Sequence, residues 1–250
     1  MRKLIVTSNK YSFCLEGFQQ QANKYWADNE FTILGFEKPD VELGENFTYE
    51  TLGEEFSDNT VWRDALNPYF QNMEDDYFFL AFEDHFLIDN VNVEDFKRAE
   101  EIMKNDPTVG KVRLLPKYNF TDNARVSYNK LESYDEVFYK APMVAGIHMQ
   151  SSLRPSIWRK DFFLKQLNQA SVVRNPHEFE IKNNGTVFPE TVLLPKDTYP
   201  IYPDIDAMRG GGPNSVTTTH GPKPMNYYNL TLKEEDLQVF VDVKNQWQNR

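Results

Sequence analysis

The sequence predicts an open α/β sheet of mostly parallel strands with helices on its faces. In the first half of the chain, short apolar runs typical of buried strands alternate about four times with segments of helical periodicity. The chain has 250 residues, which is enough for one domain with a full hydrophobic core. Its single cysteine, Cys14, excludes internal disulfides, and it lies among apolar neighbours where we expect a buried thiol.

The first half contains four predicted strands, at residues 3–7, 31–37, 77–82 and 110–116. Apolar residues at helical spacing lie between these strands. Pro68 is expected to kink or split the second helical segment, and Asn92 is placed to cap the third. Residues 37–55, which are acidic and contain turn-forming Pro and Gly, are predicted to be a connection.

The second half is less regular and mixes short β-like pieces with loops. A helix is predicted over 159–167, and a second helix has Pro176 in its first turn. Three glycines at 210–212 predict a mobile loop or a close approach of backbone. Thr231 and Glu234 are spaced as a capping box for a C-terminal helix.

Charge and hydropathy exclude several classes of protein. The chain has 27 basic and 38 acidic side chains, and a net charge of -11 disfavours binding to nucleic acid or to an anionic membrane. The apolar run at the N-terminus is too short for a signal peptide, and no window approaches a membrane span. We therefore expect a cytoplasmic protein.

The strongest candidate site follows the apolar run Tyr77–Phe82. Glu83, Asp84 and His85 come directly after this predicted strand, and Thr7, Ser8 and Asn9 follow the first one. Ligands of open α/β sheets bind beyond the carboxyl ends of the strands, so both sets are expected at one edge. Carboxylates and imidazole are ligand types of Mn²⁺, and Mg²⁺ accepts oxygen ligands. The alternative is an exposed acidic turn.

Two acids near a predicted helix start are candidates for a general base. Glu178 and Glu180 lie two residues apart, so in a helix they diverge by about 200° and at most one faces a given cleft. A carboxylate held in such a cleft can remove a proton from an attacking hydroxyl group. The alternative is that both interact only with the helix dipole.

Basic and imidazole side chains in two later segments complete the candidates. His220 and Lys223 lie close together in a loop that could supply a metal ligand and neutralise a leaving phosphate; the alternative is an exposed polar loop. Arg154 could bind a phosphate beside a platform formed by Trp158, or Trp158 could be a core residue at a strand-to-helix corner.

The usual short motifs of several enzyme classes are absent. The sequence contains no GxxxxGK[ST], no GxGxxG after a strand, no GxSxG and no HExxH. These absences disfavour P-loop proteins, dinucleotide-binding proteins, α/β-hydrolases and zincin proteases. The remaining class is an α/β protein that binds a nucleotide at its sheet edge and uses carboxylates there.

Five stretches in order resemble a group of small bacterial and viral proteins similar to GT-A-fold glycosyltransferases. They are LIVTSNKYSFCLEGFQQQANKYW, YFFLAFEDHFLI, VGKVRLLP, QSSLRPSIWRKDFFLKQL and HEFE, and they extend over residues 1 to about 182. The resemblance implies one GT-A-like domain over 1–250, with a nucleotide-binding half at 1–116 and an acceptor-binding half at 117–250. It further implies metal-assisted transfer of a sugar, with inversion at the sugar carbon, from a UDP- or GDP-sugar to a saccharide or other hydroxyl acceptor.

The resemblance also assigns roles to residues. The nucleotide is expected at Thr7, Ser8, Asn9 and Lys10, with Arg154 and Lys223 near the phosphates. Mn²⁺ or Mg²⁺ is expected at Glu83, Asp84, His85 and His220. Glu180, followed by Glu178, matches the base of inverting members. Because Glu-Asp-His replaces the usual Asp-x-Asp, Lys223, Arg209 or Arg154 is the alternative partner for the diphosphate.

Two other functions fit the same fold. A sugar-1-phosphate nucleotidyltransferase usually has a Gly-rich basic loop after the first strand, and TSNKYS contains no glycine. A non-catalytic module that binds a saccharide or a protein is compatible with the irregular acidic motif. Binding of a donor nucleotide without release of nucleoside diphosphate would favour that module.

Overall fold

The computed structural model describes residues 1–53, 62–116, 131–141, 149–169, 172–183, 185–209, 212–213, 230 and 232–249. The helices are α1 (Cys14–Tyr25), α2 (Trp62–Asn72), α3 (Val93–Asn105), α4 (Lys160–Gln169), α5 (Pro176–Asn183) and α6 (Glu234–Gln248). The strands are β1 (Lys3–Val6), β2 (Phe31–Gly35), β3 (Phe47–Thr51), β4 (Tyr77–Phe82), β5 (His85–Leu87), β6 (Val109–Arg113), β7 (Phe138–Lys140), β8 (Ser156–Arg159), β9 (Thr191–Pro195), β10 (Asp204–Asp206), β11 (Met208–Arg209) and β12 (Gly212–Pro213).

Eight of these strands form one sheet in the order β3-β2-β1-β4-β8-β6-β9-β7. Neighbours pair in parallel from β3 to β4 and again between β6 and β9. Strands β8 and β7 run antiparallel to their neighbours. The predicted open, mostly parallel α/β sheet is therefore confirmed. Outside this sheet, β5 pairs antiparallel with β10, and β11 pairs antiparallel with β12.

The hydrophobic core has two layers, one on each face of the sheet. Alternate residues of a strand point to opposite faces, so Ile5 packs in one layer while Leu4 and Val6 pack in the other. Helices α1, α3 and α6 cover the first face, and α2, α4 and α5 cover the second. Burial on both faces explains why the central strands are continuous apolar runs.

The structure tests several local predictions. The side chain of Asn92 caps α3, because its Oδ1 accepts a hydrogen bond from the backbone N of Asp95 at 3.1 Å. Trp158 has no exposed surface and stacks on Phe162, so it is a core residue, and the proposed platform is wrong. Helix α2 passes through Pro68 without splitting. Among the described residues, no helix combines the length and apolarity needed to cross a bilayer.

Two local predictions are wrong. The segment predicted to be a connection, 37–55, contains strand β3. This strand is at the sheet edge, and only its first residue, Phe47, is buried, so its sequence lacks the apolar run of a central strand. The predicted capping box is also wrong, since α6 begins after Lys233, which makes no capping hydrogen bond. Thr231 itself lies outside the described residues.

Gly17 allows α1 to approach β5 and α6 closely. A Cβ atom at this position would lie 2.7 Å from ring carbons of Phe86 and 2.7 Å from Cγ1 of Val239. Gly17→Ala is expected to lower the free energy of unfolding by about 1 kcal/mol, because overpacking of about 1–3 kcal/mol exceeds the gain in helix propensity. Urea unfolding tests this, with Gln20→Ala at an exposed position of the same helix as the control. A more stable Gly17→Ala protein would contradict the expectation.

Candidate functional site

The chain turns at once after β4. Phe82, the last residue of β4, lies opposite Val6 of β1, and Glu83 and Asp84 form a turn that leads directly into β5. The two adjacent carboxylates of this turn contact different parts of the molecule. Glu83 contacts the loop after β1, while Asp84 lies on the side of β10.

Glu83 fixes the loop that follows β1. Its Oε1 accepts hydrogen bonds from the backbone N of Ser8 at 2.9 Å and from the Ser8 hydroxyl at 3.2 Å. The residue is only 2% exposed, and this burial raises the pKa of its carboxyl to about 7, although the hydrogen bond from the Ser8 backbone acts in the opposite direction. The structure thus brings Glu83 and the start of the predicted nucleotide loop together.

The pairing of β5 with β10 brings two further acids to His85. Asp206 is the register partner of His85, and Asp204 is the partner of Leu87. Nδ1 of His85 lies 3.9 Å from Oδ2 of Asp204, and Nε2 lies 3.9 Å from Oδ1 of Asp206. One ligand atom from each of these three residues lies within 4.8 Å of the others. This spacing is compatible with shared coordination of one metal ion.

Asp204 and His85 carry the strongest sign of a cation. The Asp204 side chain is 1% exposed, and neither of its oxygens has a hydrogen-bond partner among the described residues. Nδ1 of His85 is buried without such a partner as well. Buried polar atoms are normally hydrogen-bonded, so lone pairs left in this way fit a bound cation.

The pKa values of this group agree with a site that needs positive charge. Burial, together with the charge of Arg154, lowers the pKa of His85 to about 3, so the imidazole is neutral and can donate a lone pair. Burial raises the pKa of Asp204 to about 8, although Arg154 opposes the shift. Burial and the charges of Glu83 and Asp206 also raise the pKa of Asp84 well above its usual range.

Asp84 is a further acid close to His85, Asp204 and Asp206. Its Oδ1 lies 3.9 Å from Nε2 of His85, and its backbone carbonyl accepts a hydrogen bond from Ala207 N at 2.7 Å. The turn after β4 is therefore tied to the end of β10. Asp84 and His85, both predicted metal ligands, lie together with Asp204 and Asp206, which were not predicted.

Among the described residues, Arg154 supplies the guanidinium that contacts the acids of β10. Its guanidinium forms a forked ion pair with Asp206, in which Nη2 lies 2.7 Å from Oδ2 and Nη1 bonds to Oδ1. Nη1 also lies 3.8 Å from Oδ2 of Asp204. Among the predicted phosphate-binding residues, Arg154 is thus placed at the acidic group.

The segment before Arg154 is held by the side chains of Glu180 and Lys111. Oε1 of Glu180 accepts a hydrogen bond from the backbone N of Leu153 at 2.7 Å. Nζ of the fully buried Lys111 donates to the carbonyls of Met149, at 3.2 Å, and Ser152. Glu180 is therefore connected to the site through the backbone that carries Arg154.

Glu178 is turned toward the surface of α5 instead. Its carboxylate lies 2.9 Å from Nζ of Lys182 and 3.3 Å from Nη1 of Arg174. A hydrogen bond from the Arg174 backbone N, together with Lys182, lowers the pKa of Glu178 to about 2. The different partners of Glu178 and Glu180 agree with their predicted divergence around the helix.

The structure does not test the roles predicted for the remaining site residues. The carbonyl of Asn9 accepts a hydrogen bond from the Ser12 hydroxyl, and Nζ of the exposed Lys10 lies 5.0 Å from the Tyr11 ring centroid. The backbone N of Thr7, a buried residue, donates to Leu34 O at 2.9 Å. His220 and Lys223 lie outside the described residues, and the backbone of Arg209 belongs to β11. Their roles stay predictions.

The two acids missed from the sequence carry a recognisable signal. Asp204, Ile205 and Asp206 form an acidic-apolar-acidic alternation, which places both carboxylates on one face of a strand. Ile205 is buried in the core. An Asp-x-Asp pattern was therefore present in the sequence, but on β10 and not after β4.

Similar proteins were found only among the solved structures. No protein-family model and no curated protein matches the chain. It is similar over 77% of its length to mannosyltransferase PcManGT from Pyrobaculum calidifontis in complex with GDP-Man and Mn²⁺, at 13% identity and a TM-score of 0.43. It is similar over 77% to S. aureus TarS 1-349, at 12% identity and a TM-score of 0.40.

A third similar structure is the bifunctional IspDF from Campylobacter jejuni. It is 9% identical over 74% of this chain, with a TM-score of 0.35. The chain covers 56%, 58% and 48% of the lengths of PcManGT, TarS 1-349 and IspDF, respectively. At these identities and TM-scores, the similarities assign no activity to this chain.

Proposed function

We propose that the protein is a metal-assisted glycosyltransferase that moves a sugar from a UDP- or GDP-sugar to an acceptor hydroxyl. The observation that carries the proposal is the buried carboxylate of Asp204, which has no hydrogen-bond partner among the described residues and faces His85 and Asp206. A diphosphate needs a cation to approach such an acidic group. The location beyond the carboxyl ends of β1 and β4 is where open α/β sheets bind ligands.

The chain's own residues would divide the work between holding a cation and placing the donor. Asp204, Asp206 and His85 would hold Mn²⁺ or Mg²⁺, which when bound neutralises charge on a leaving diphosphate. Glu83, which precedes Asp84 in the chain, holds the backbone of Ser8 and so fixes the loop proposed for the nucleotide, Thr7 to Lys10.

Glu180 is the better of the two candidates for the base. Glu178 has a pKa lowered to about 2 and two ion pairs at the surface, so it is a weak proton acceptor. Glu180 is half-buried and lies beside the backbone that leads to Arg154. We propose that it takes the proton of the acceptor hydroxyl.

A panel of nucleotide sugars tests the proposed reaction. With UDP- and GDP-sugars and Mn²⁺, the protein is expected to release nucleoside diphosphate, to lose this activity in EDTA, and to regain it with added Mn²⁺. Absence of both release and thermal stabilisation with every donor would refute the proposal. Stabilisation without release would favour the non-catalytic module, and pyrophosphate release from a nucleoside triphosphate plus a sugar 1-phosphate would favour the nucleotidyltransferase.

Glu180→Gln and Glu178→Gln form a matched pair for the base. Glu180→Gln keeps an oxygen that can accept the Leu153 hydrogen bond but removes the basic group, so transfer is expected to fall about 100-fold or more. Glu178→Gln is expected to change transfer less than about threefold, since it alters only surface ion pairs. Transfer rates to a hydroxyl acceptor under saturating donor provide the measurement. Equal rates in the two variants would exclude Glu180 as the base.

A further inference from the structure

The guanidinium of Arg154 lies against both acids of β10. Nη1 bonds to Oδ1 of Asp206 and lies 3.8 Å from Oδ2 of Asp204, while Nη2 lies 2.7 Å from Oδ2 of Asp206. Both oxygens of Asp206 are therefore engaged by one planar cation. The Asp204 oxygens, in contrast, have no hydrogen-bond partner among the described residues.

A divalent cation shared by Asp204 and Asp206 would need the same space. Oxygen ligands lie about 2.1 Å from Mg²⁺, so a shared ion must lie close to one oxygen of each acid. Nη1 of Arg154 already lies near an oxygen of each. The guanidinium and the ion also carry like charges, which repel strongly where little water screens them.

We infer that Arg154 and the divalent cation exclude each other from the Asp204–Asp206 pair. Arg154 is the counter-ion of this pair when no metal is bound, and its guanidinium leaves Asp206 when the ion binds. This inference rests on the proposed metal site. It makes the affinity of the site for metal depend on how easily Arg154 is displaced.

The surroundings of Arg154 suit such a displacement. Lys111 and Glu180 hold the preceding backbone through Ser152 and Leu153, so the guanidinium can move while the backbone stays. The Arg154 side chain is 18% exposed and therefore has a route toward solvent.

The test is the affinity of the full chain for Mn²⁺, measured by calorimetric titration after removal of bound metal. Arg154→Gln is expected to bind Mn²⁺ about tenfold tighter or more, within the range usual for coupled ligands, because the competing charge is removed. Arg154→Lys is expected to lie between this variant and the wild type, since its single ammonium cannot form the fork. Arg98→Gln, which loses the same charge in an ion pair with Asp135, should not change the affinity.

A second readout keeps the test valid if Arg154→Gln folds less well. Binding stabilises the folded state by an amount set by affinity, so Mn²⁺ should raise the Tm of Arg154→Gln more than that of the wild type. Equal or weaker Mn²⁺ binding by Arg154→Gln would overturn the exclusion. If Arg154→Gln binds Mn²⁺ more tightly but the wild type releases no nucleoside diphosphate, the exclusion is supported and the proposed glycosyl transfer is refuted. Absence of binding by all variants would refute both.

Discussion

Asp204→Asn is expected to abolish Mn²⁺-dependent release of nucleoside diphosphate and to lower Mn²⁺ affinity about 100-fold or more. The change removes one negative charge from the acidic group while keeping the size of the side chain. The two carboxylate oxygens of Asp204 are buried without a hydrogen-bond partner among the described residues, so they can coordinate an ion without breaking an existing hydrogen bond. Mutation of the residues that hydrogen-bond to metal ligands lowers metal affinity about 10–100-fold. Loss of a charged ligand itself should lower the affinity at least as much.

The same substitution is expected to stabilise the metal-free protein. Burial raises the pKa of Asp204 to about 8, so near neutral pH folding must either protonate this carboxyl or keep it ionised beside Asp206, and both are costly. Replacing Asp204 by a neutral amide should therefore raise the free energy of unfolding by about 1 kcal/mol or more. Urea unfolding in EDTA measures this, with the exposed Asp161→Asn as the control. Wild-type Mn²⁺ affinity in Asp204→Asn would exclude Asp204 as a ligand.

The fold could be predicted because the central strands are buried on both faces. Tyr77–Phe82 is a continuous apolar run for that reason, and β4 has the same bounds as the predicted strand. The edge strand β3 lacks this signal, since most of its residues are partly exposed. Propensity and periodicity thus identify buried strands well and edge strands poorly.

The candidate site could be predicted only in part. Glu83 and Ser8 lie together, because β1 and β4 are parallel neighbours whose ends meet at one edge of the sheet. Asp204 and Asp206 reach this edge through the pairing of β10 with β5, two strands of three residues each. Such short strands carry almost no periodic signal, and their pairing joins segments far apart in the chain. The Asp-Ile-Asp alternation was the available clue.

Glu83→Gln is expected to leave Mn²⁺ affinity within about twofold of the wild type, whereas Glu83→Ala should weaken donor binding about tenfold or more. Oε1 of Glu83 accepts both hydrogen bonds from Ser8, and a glutamine oxygen can accept them too. Alanine removes this acceptor and leaves the Ser8 backbone N without it. Lost hydrogen bonds to a buried carboxylate should lower the free energy of unfolding by about 2–4 kcal/mol.

The Mn²⁺ affinities and donor affinities of Glu83→Gln and Glu83→Ala decide between two roles for Glu83. The sequence predicted a metal ligand, but the hydrogen bonds to Ser8 indicate a residue that positions the nucleotide loop. Asp84→Asn on the same turn is the matched control, because its Oδ1 lies 3.9 Å from Nε2 of His85 and its charge should contribute to Mn²⁺ binding. Calorimetric titration with Mn²⁺ should therefore detect a weaker site in Asp84→Asn and an unchanged one in Glu83→Gln. A loss of Mn²⁺ affinity in Glu83→Gln would make Glu83 a ligand and not a positioning residue.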